Sequence, residues 1–142
     1  MINITVEKLS LQLSPYERES EPDNDSYIWI KTFIEYKLPG LAVQYSTAFT
    51  VWELRTFRER LALLYAHLVI QEPHTEVVFD SLENHFNLHI AQVGHNDIVE
   101  VNIAMRPEDH ADSAKVTDTF YLDQSYFPAL LSGLDKMINW QN

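Results

Sequence analysis

The stretch Tyr27-Ile28-Trp29-Ile30-Lys31-Thr32-Phe33-Ile34-Glu35-Tyr36-Lys37-Leu38 decides the fold. In it Ile28, Ile30, Ile34, Tyr36 and Leu38 recur on one phase of a period-two alternation, so they share one face of an extended chain. The segment is predicted to be a long β-strand with one side turned to a core. Pro39-Gly40 interrupts it, and Leu41, Val43, Tyr45, Thr47 and Phe49 resume the alternation, which predicts an antiparallel hairpin. Trp29 falls on the opposite face with Tyr27 and Phe33. Either a second layer covers those rings or they form an exposed aromatic patch suited to a partner.

Upstream, Ile2, Ile4 and Val6 keep one phase while Leu9, Leu11 and Leu13 keep the other, a slip that a bulge or bend near Glu7-Lys8 would absorb. Downstream, the period changes at Thr50. Leu54, Phe57, Leu61, Leu64 and Leu68 recur at spacings of three and four, the stripe of an amphipathic helix running to about Ile70. Thr50 is its expected N-cap, Glu53 completes a capping box, and Phe49 can staple onto Leu54. Pro73 ends the helix. Strands are expected to resume around Val77-Val78-Phe79, then Phe86, Leu88 and Ile90, then Val99, Val101, Ile103 and Met105, and finally Val116, Asp118, Phe120 and Leu122. Gly94-His95-Asn96-Asp97 marks the turn between the middle two. A second helix follows, capped by Ser125, with Pro128 in its first turn and Phe127, Leu130, Leu131, Leu134 and Ile138 as its buried stripe. The order predicts one α+β domain spanning 1–142: a single antiparallel β-sheet of six to eight strands with two amphipathic helices packed on one face.

Charge narrows the function more than any motif does. There are 21 acidic residues against 10 basic ones, a formal charge of −11 in 142 residues. Such a surface repels phosphate backbones and anionic lipid, so neither nucleic acid nor membrane is an expected partner, and a basic protein is. The chain has no cysteine, which removes disulfides, thiolate metal sites and cysteine nucleophiles. No basic leader precedes an apolar block, and no apolar run is long enough to span a bilayer, so a cytoplasmic location is expected.

The candidate chemical sites weaken on inspection. Residues 15 to 26 read as an acidic loop with Glu17, Glu19, Glu21, Asp23 and Asp25 at every second position, and Arg106 to Ala114 as a shorter polar break containing Glu108, Asp109 and Asp112. Asp23-Asn24-Asp25 invites a calcium reading, but an EF-hand register from Asp23 puts Ile28 at position six and Ile34 at position twelve. His85 and His89 resemble a helical zinc pair, yet four residues of strand hold them about 13 Å apart. With only Gly40, Gly94 and Gly133 there is no glycine-rich phosphate loop, and no nucleophile elbow is present. Arg55, Arg58 and Arg60 make the first helix the one locally basic element, where pairing with Glu59 or a neighbouring loop is the ordinary explanation. No cofactor, metal or catalytic residue is expected.

Several stretches resemble the immunity proteins of the WapI type. Asp25-Ser26-Tyr27-Ile28-Trp29-Ile30-Lys31 is similar to that family's acidic turn leading into a Trp-centred strand, and Thr50-Val51-Trp52-Glu53-Leu54 to its helix start. Leu122-Asp123-Gln124-Ser125-Tyr126-Phe127-Pro128 is similar to its final strand and helix entry, and Gly94 to Val101 to its turn-to-strand pattern. The resemblance implies a cytoplasmic partner of a bacterial toxin, often a nuclease, that neutralises it by binding rather than by chemistry. The expected contacts are Glu17, Glu19, Glu21, Asp23, Asp25 and Trp29. Two other readings stay open: an enzyme with a dispersed carboxylate or His site, marked by a pocket of converging acids, and a self-associating structural module that buries the Trp29 face against its own copy.

Overall fold

The computed structural model describes residues 1–21, 24–94, 96–108 and 113–142, with backbone alone described for 21 and 24–26. Asp23, His95, Asp109 and Asp112 lie outside the described residues. Four strands come first: β1 (Ile2–Val6), β2 (Leu9–Glu21), β3 (Asn24–Leu38) and β4 (Leu41–Thr50). Helix α1 (Val51–Val69) separates them from β5 (Val77–Asp80), β6 (Phe86–Gln92), β7 (Ile98–Met105) and β8 (Val116–Asp123). A 3₁₀ turn, Gln124–Tyr126, leads into α2 (Phe127–Ile138).

The strands form two antiparallel four-stranded sheets, in the orders β1-β2-β3-β4 and β5-β6-β7-β8, and not the single sheet that alternation suggested. The physical reason is cover. Eight strands at about 4.8 Å spacing present an apolar face too wide for two helices of about 10–12 Å diameter. Each sheet instead turns its apolar face to the other. Phe49 of β4 meets Phe79 of β5 and Phe86 of β6 edge-on at centroid distances of 5.5 and 5.9 Å. The core between the sheets retains a void of about 40 Å³, lined by both sheets and both helices.

Local chemistry explains the turns. Gly40 at φ +84° follows Pro39, and Leu38 pairs with Leu41, which is the pattern of a type II turn needing glycine at its third position. The phase slip near Glu7 is a full reversal rather than a bulge: Val6 pairs with Leu9, and Glu7 takes a left-handed φ of +54°. Side chains change phase there because the chain has turned back on itself.

Helix α1 has the expected start. The Thr50 hydroxyl accepts from Glu53 N–H at 3.1 Å, and Glu53 Oε1 accepts from Thr50 N–H at 3.2 Å. Glu53 is buried, and its second oxygen accepts from Leu82 N–H at 3.1 Å, tying the β5–β6 turn to the helix. Burial outweighs these hydrogen bonds and, aided by the nearby Glu83 charge, pushes the Glu53 carboxyl up to about 7. Leu54, Phe57, Leu61, Leu64 and Leu68 are all buried, as the stripe predicts.

Helix α2 starts differently from expectation. Asp123 rather than Ser125 is the capping side chain, accepting from Ser125 N–H at 2.9 Å in the 3₁₀ turn, and Tyr126 precedes the helix without a side-chain cap. The helix buries Phe127, Leu130, Gly133, Leu134, Met137 and Ile138. Gly133 allows it to approach β1: a Cβ there would stand 2.8 Å from the Met1 carbonyl oxygen and 2.9 Å from the Ile2 side chain. The helices join through Tyr65 stacked on Phe127 and through Arg58, which donates to both Asp135 oxygens at 3.0 and 3.1 Å. Arg58 thus pairs with α2, not with Glu59 or a loop.

Candidate partner-binding surface

The acidic segment is a strand hairpin, not a loop. β2 runs to Glu21 and pairs with β3 back to Asn24. An extra residue, Tyr16, sits between the Pro15–Thr32 and Glu17–Lys31 pairs, and this bulge shifts the side-chain phase from Glu17 to Ser20, where a second register shift follows. Glu17 and Glu19 therefore share the outer face with Lys31 and Trp29, their partners on β3, while Arg18 pairs with buried Ile30 and takes the inner side.

Each consequence shows in the contacts. Lys31 Nζ lies 2.8 Å from Glu17 and 3.2 Å from Glu19, and these two hydrogen-bonded carboxylates hold its ammonium above the usual lysine range. The pairs are solvent-exposed, so they orient the side chains more than they stabilise the fold. One cation against two anions leaves the cluster net negative. On the inner side the Arg18 guanidinium donates to the Ile138 and Trp140 carbonyls at 2.8 and 3.2 Å, capping the end of α2. The Asn142 side chain accepts from Arg18 N–H at 2.7 Å and donates to its carbonyl at 3.0 Å, completing the β2 edge beyond the reach of β1.

Among the described residues no second layer covers the whole aromatic face. Tyr27 is 43% exposed and Phe33 36%, with Trp29 between them half-buried. Glu17, Glu19 and Trp29 are thus brought together on one outer face. Beyond a second register shift between Ser20 and Glu21, the strand backbone runs on through Glu21, Asn24 and Asp25. Trp29 also pairs with Thr50, the cap of α1, so the row Glu19, Trp29, Thr50 runs toward Trp52, which is 72% exposed. Trp52 lies off the Leu54–Leu68 stripe, and a helical projection of α1 would have singled it out as an outward tryptophan.

The outer face of the second sheet is polar. Asp80 accepts from Asn87 at 2.8 Å and faces His89 at 3.4 Å, while His89 also faces Glu76 at 3.2 Å. Thr119 bonds to Asn102, and Asn102 and Tyr121 both bond to Glu100. Asp80, Asn87, His89, Asn102 and Thr119 floor an open groove of about 760 Å³ bordered by Arg106, Lys115 and Asp118. Asp118 is engaged by the Tyr36 hydroxyl, a bond between the two sheets; burial first, then that partner, pushes the Tyr36 phenol above its usual range. His89 stands on a strand, as the alternation of Phe86, Leu88 and Ile90 required. Among the described residues no three His, Asp or Glu side chains are grouped to hold a metal ion. No described helix is long and apolar enough to cross a membrane.

Among solved structures, the plant transcriptional regulator PBF-2 shares the fold with a TM-score of 0.51 at 12% identity, over 96% of this chain and 78% of that one. Two Arabidopsis thaliana proteins are more distant. WHY3 matches with a TM-score of 0.46 at 10% identity, over 96% and 84% of the two chains, and WHY1 with 0.44 at 12% identity, over 96% and 86%. No curated protein matches significantly. The immunity protein WapI-like family matches residues 1–142, every position of the sequence. The chain belongs to the WapI-like immunity protein family.

Proposed function

We propose that this protein confers immunity by binding a cognate bacterial toxin in the cytoplasm, stoichiometrically and without chemistry of its own. The observation that carries the reading is the family match over all 142 residues. Charge supports it: at −11 the chain is drawn to a basic surface and kept from nucleic acid and anionic lipid, so the partner is a basic toxin domain. No cofactor is needed for a mechanism that works by occupying the toxin.

The contact surface we propose combines Glu17, Glu19 and Trp29, with Tyr27 and Phe33, on the outer face of the first sheet with the acidic residues Glu21, Asp23 and Asp25 that follow in sequence. The division of labour follows from the chemistry. Exposed carboxylates steer a basic partner from a distance, and aromatic rings desolvated on contact supply the affinity. The Arg18 anchor to α2 keeps this platform preorganised, so less ordering entropy is lost on binding. The test is capture of tagged protein from its native host, followed by co-expression with the captured toxin domain. Rescue of growth together with an equimolar complex supports the proposal; rescue without a complex, or a complex without rescue, sinks it.

A further inference from the structure

We propose that His67 and His74 form a two-histidine site for a borderline divalent transition-metal cation, such as Cu²⁺ or Zn²⁺, at the C-terminal end of α1. The inference is independent of toxin binding. The two rings lie with centroids 4.5 Å apart and planes at 54°. His67 Nδ1 is 2.8 Å from the Leu63 carbonyl oxygen, and His74 Nδ1 is 2.8 Å from that of Thr75. A carbonyl can only accept, so each Nδ1 carries the hydrogen, and in the neutral ring each Nε2 then carries a lone pair. Neither Nε2 has a partner among the described residues. Histidines that ligate metals are held this way, one ring nitrogen donating to a backbone carbonyl so that the other is aimed and made more basic.

The surroundings favour a cation. His67 is in the last turn of α1, where backbone carbonyls give the helix its negative end, and the chain carries −11 overall. Neighbouring backbone is pinned as well: Glu72 N–H donates to the His67 carbonyl at 2.9 Å, and His74 N–H to Gln92 Oε1 at 3.2 Å. Both rings are half-buried, open enough for entry yet restrained in orientation. Two imidazoles without a grouped carboxylate do not suit Mg²⁺ or Ca²⁺, which take oxygen, but they suit Cu²⁺ and Zn²⁺, with Cu²⁺ the tighter and water completing the shell. The pair is seven residues apart across a turn, a spacing that belongs to no histidine motif.

The test is calorimetric titration of the full chain with CuCl₂ and ZnCl₂ in a non-coordinating buffer. One ion per chain and a rise in Tm are expected for each metal, and no response to MgCl₂. His67→Gln and His74→Gln should each weaken binding at least tenfold, with circular dichroism confirming that they fold, while His89→Gln should titrate as the parent does. On the unmodified protein, the electron paramagnetic resonance spectrum of bound Cu²⁺ should show two imidazole nitrogens. Absence of one-to-one binding, a spectrum without paired nitrogens, or unchanged affinity in the two variants would overturn the assignment.

Discussion

Nη1 of Arg18 donates to the carbonyl oxygen of Ile138 at 2.8 Å, joining the middle of the second strand to the end of the last helix across 120 positions of sequence. The bond exists because the bulge at Tyr16 turns Arg18 inward and Glu17 and Glu19 outward. One inserted residue therefore sets both the acidic outer face and the closure of the fold beneath it.

Arg18→Ala should remove that helix cap and leave carbonyls of the last turn unsatisfied, at a cost of about 1–3 kcal/mol. Hydrogen exchange should quicken at the end of α2 before it quickens in α1. Uniform exchange rates across both helices would mean the contact is incidental.

Leu61 is 1% exposed in the α1 stripe, and Leu61→Ala should lower unfolding free energy by about 2–5 kcal/mol through the cavity it opens. Gly133→Ala should also destabilise, by about 1–3 kcal/mol, since its methyl would meet the Met1 carbonyl oxygen and the Ile2 side chain inside normal contact distance. By contrast Trp52→Ala should move stability by no more than about 0.5 kcal/mol, as expected of an outward side chain. Urea unfolding of the three variants separates these cases, and near-neutral effects at Leu61 and Gly133 would contradict the packing described.

Glu53 predicts a pH dependence whose sign is opposite to that of an ordinary salt-bridged carboxylate. Its folded-state pKa, about 7, lies above the ordinary carboxyl value of 4.5 because the group is buried, so the folded state binds the proton more tightly. The stabilisation is complete below pH about 4.5 and is lost as pH rises through about 7, beyond which this group adds no further slope. Denaturation of the parent and of Glu53→Ala at matched pH values isolates the contribution. Parallel curves between pH 4.5 and 7 would show that Glu53 is not the titrating group.

The elements legible from sequence were those whose own side chains record burial. Thr50 and Glu53 announce the capping box, Leu54 to Leu68 the helix face, and Ile28 to Leu38 the inward side of β3. Which strand neighbours which was not legible, because alternation marks the buried face of a strand and is silent about what covers it; an apolar face looks the same under helices as under a second sheet. The strand character of the acidic segment is hidden for a related reason. Past the bulge the inward positions are Arg18 and Ser20, so Glu17, Glu19 and Glu21 alternate with polar residues, and no apolar partner flags the strand. The His67–His74 pair likewise depends on the chain reversing at Gln71, where φ is +57°, which spacing does not encode.

The carboxylates of the acidic segment should govern association rate more than stability. Changing Glu17, Glu19 and Glu21 to Gln and Asp23 and Asp25 to Asn together should slow binding of the toxin domain and flatten its dependence on salt, with Tm nearly unchanged. Trp29→Ala should act chiefly on the dissociation rate.

The most direct measurement is stopped-flow association of the captured toxin domain with the parent and the five-carboxylate variant across a series of salt concentrations, with complex stoichiometry from native mass spectrometry. The account predicts a one-to-one complex, association by the parent that slows steeply with salt, and a much weaker salt dependence in the variant. Identical association rates for the two proteins at low salt would contradict the proposed surface, and turnover of a substrate without a stoichiometric complex would contradict immunity by binding.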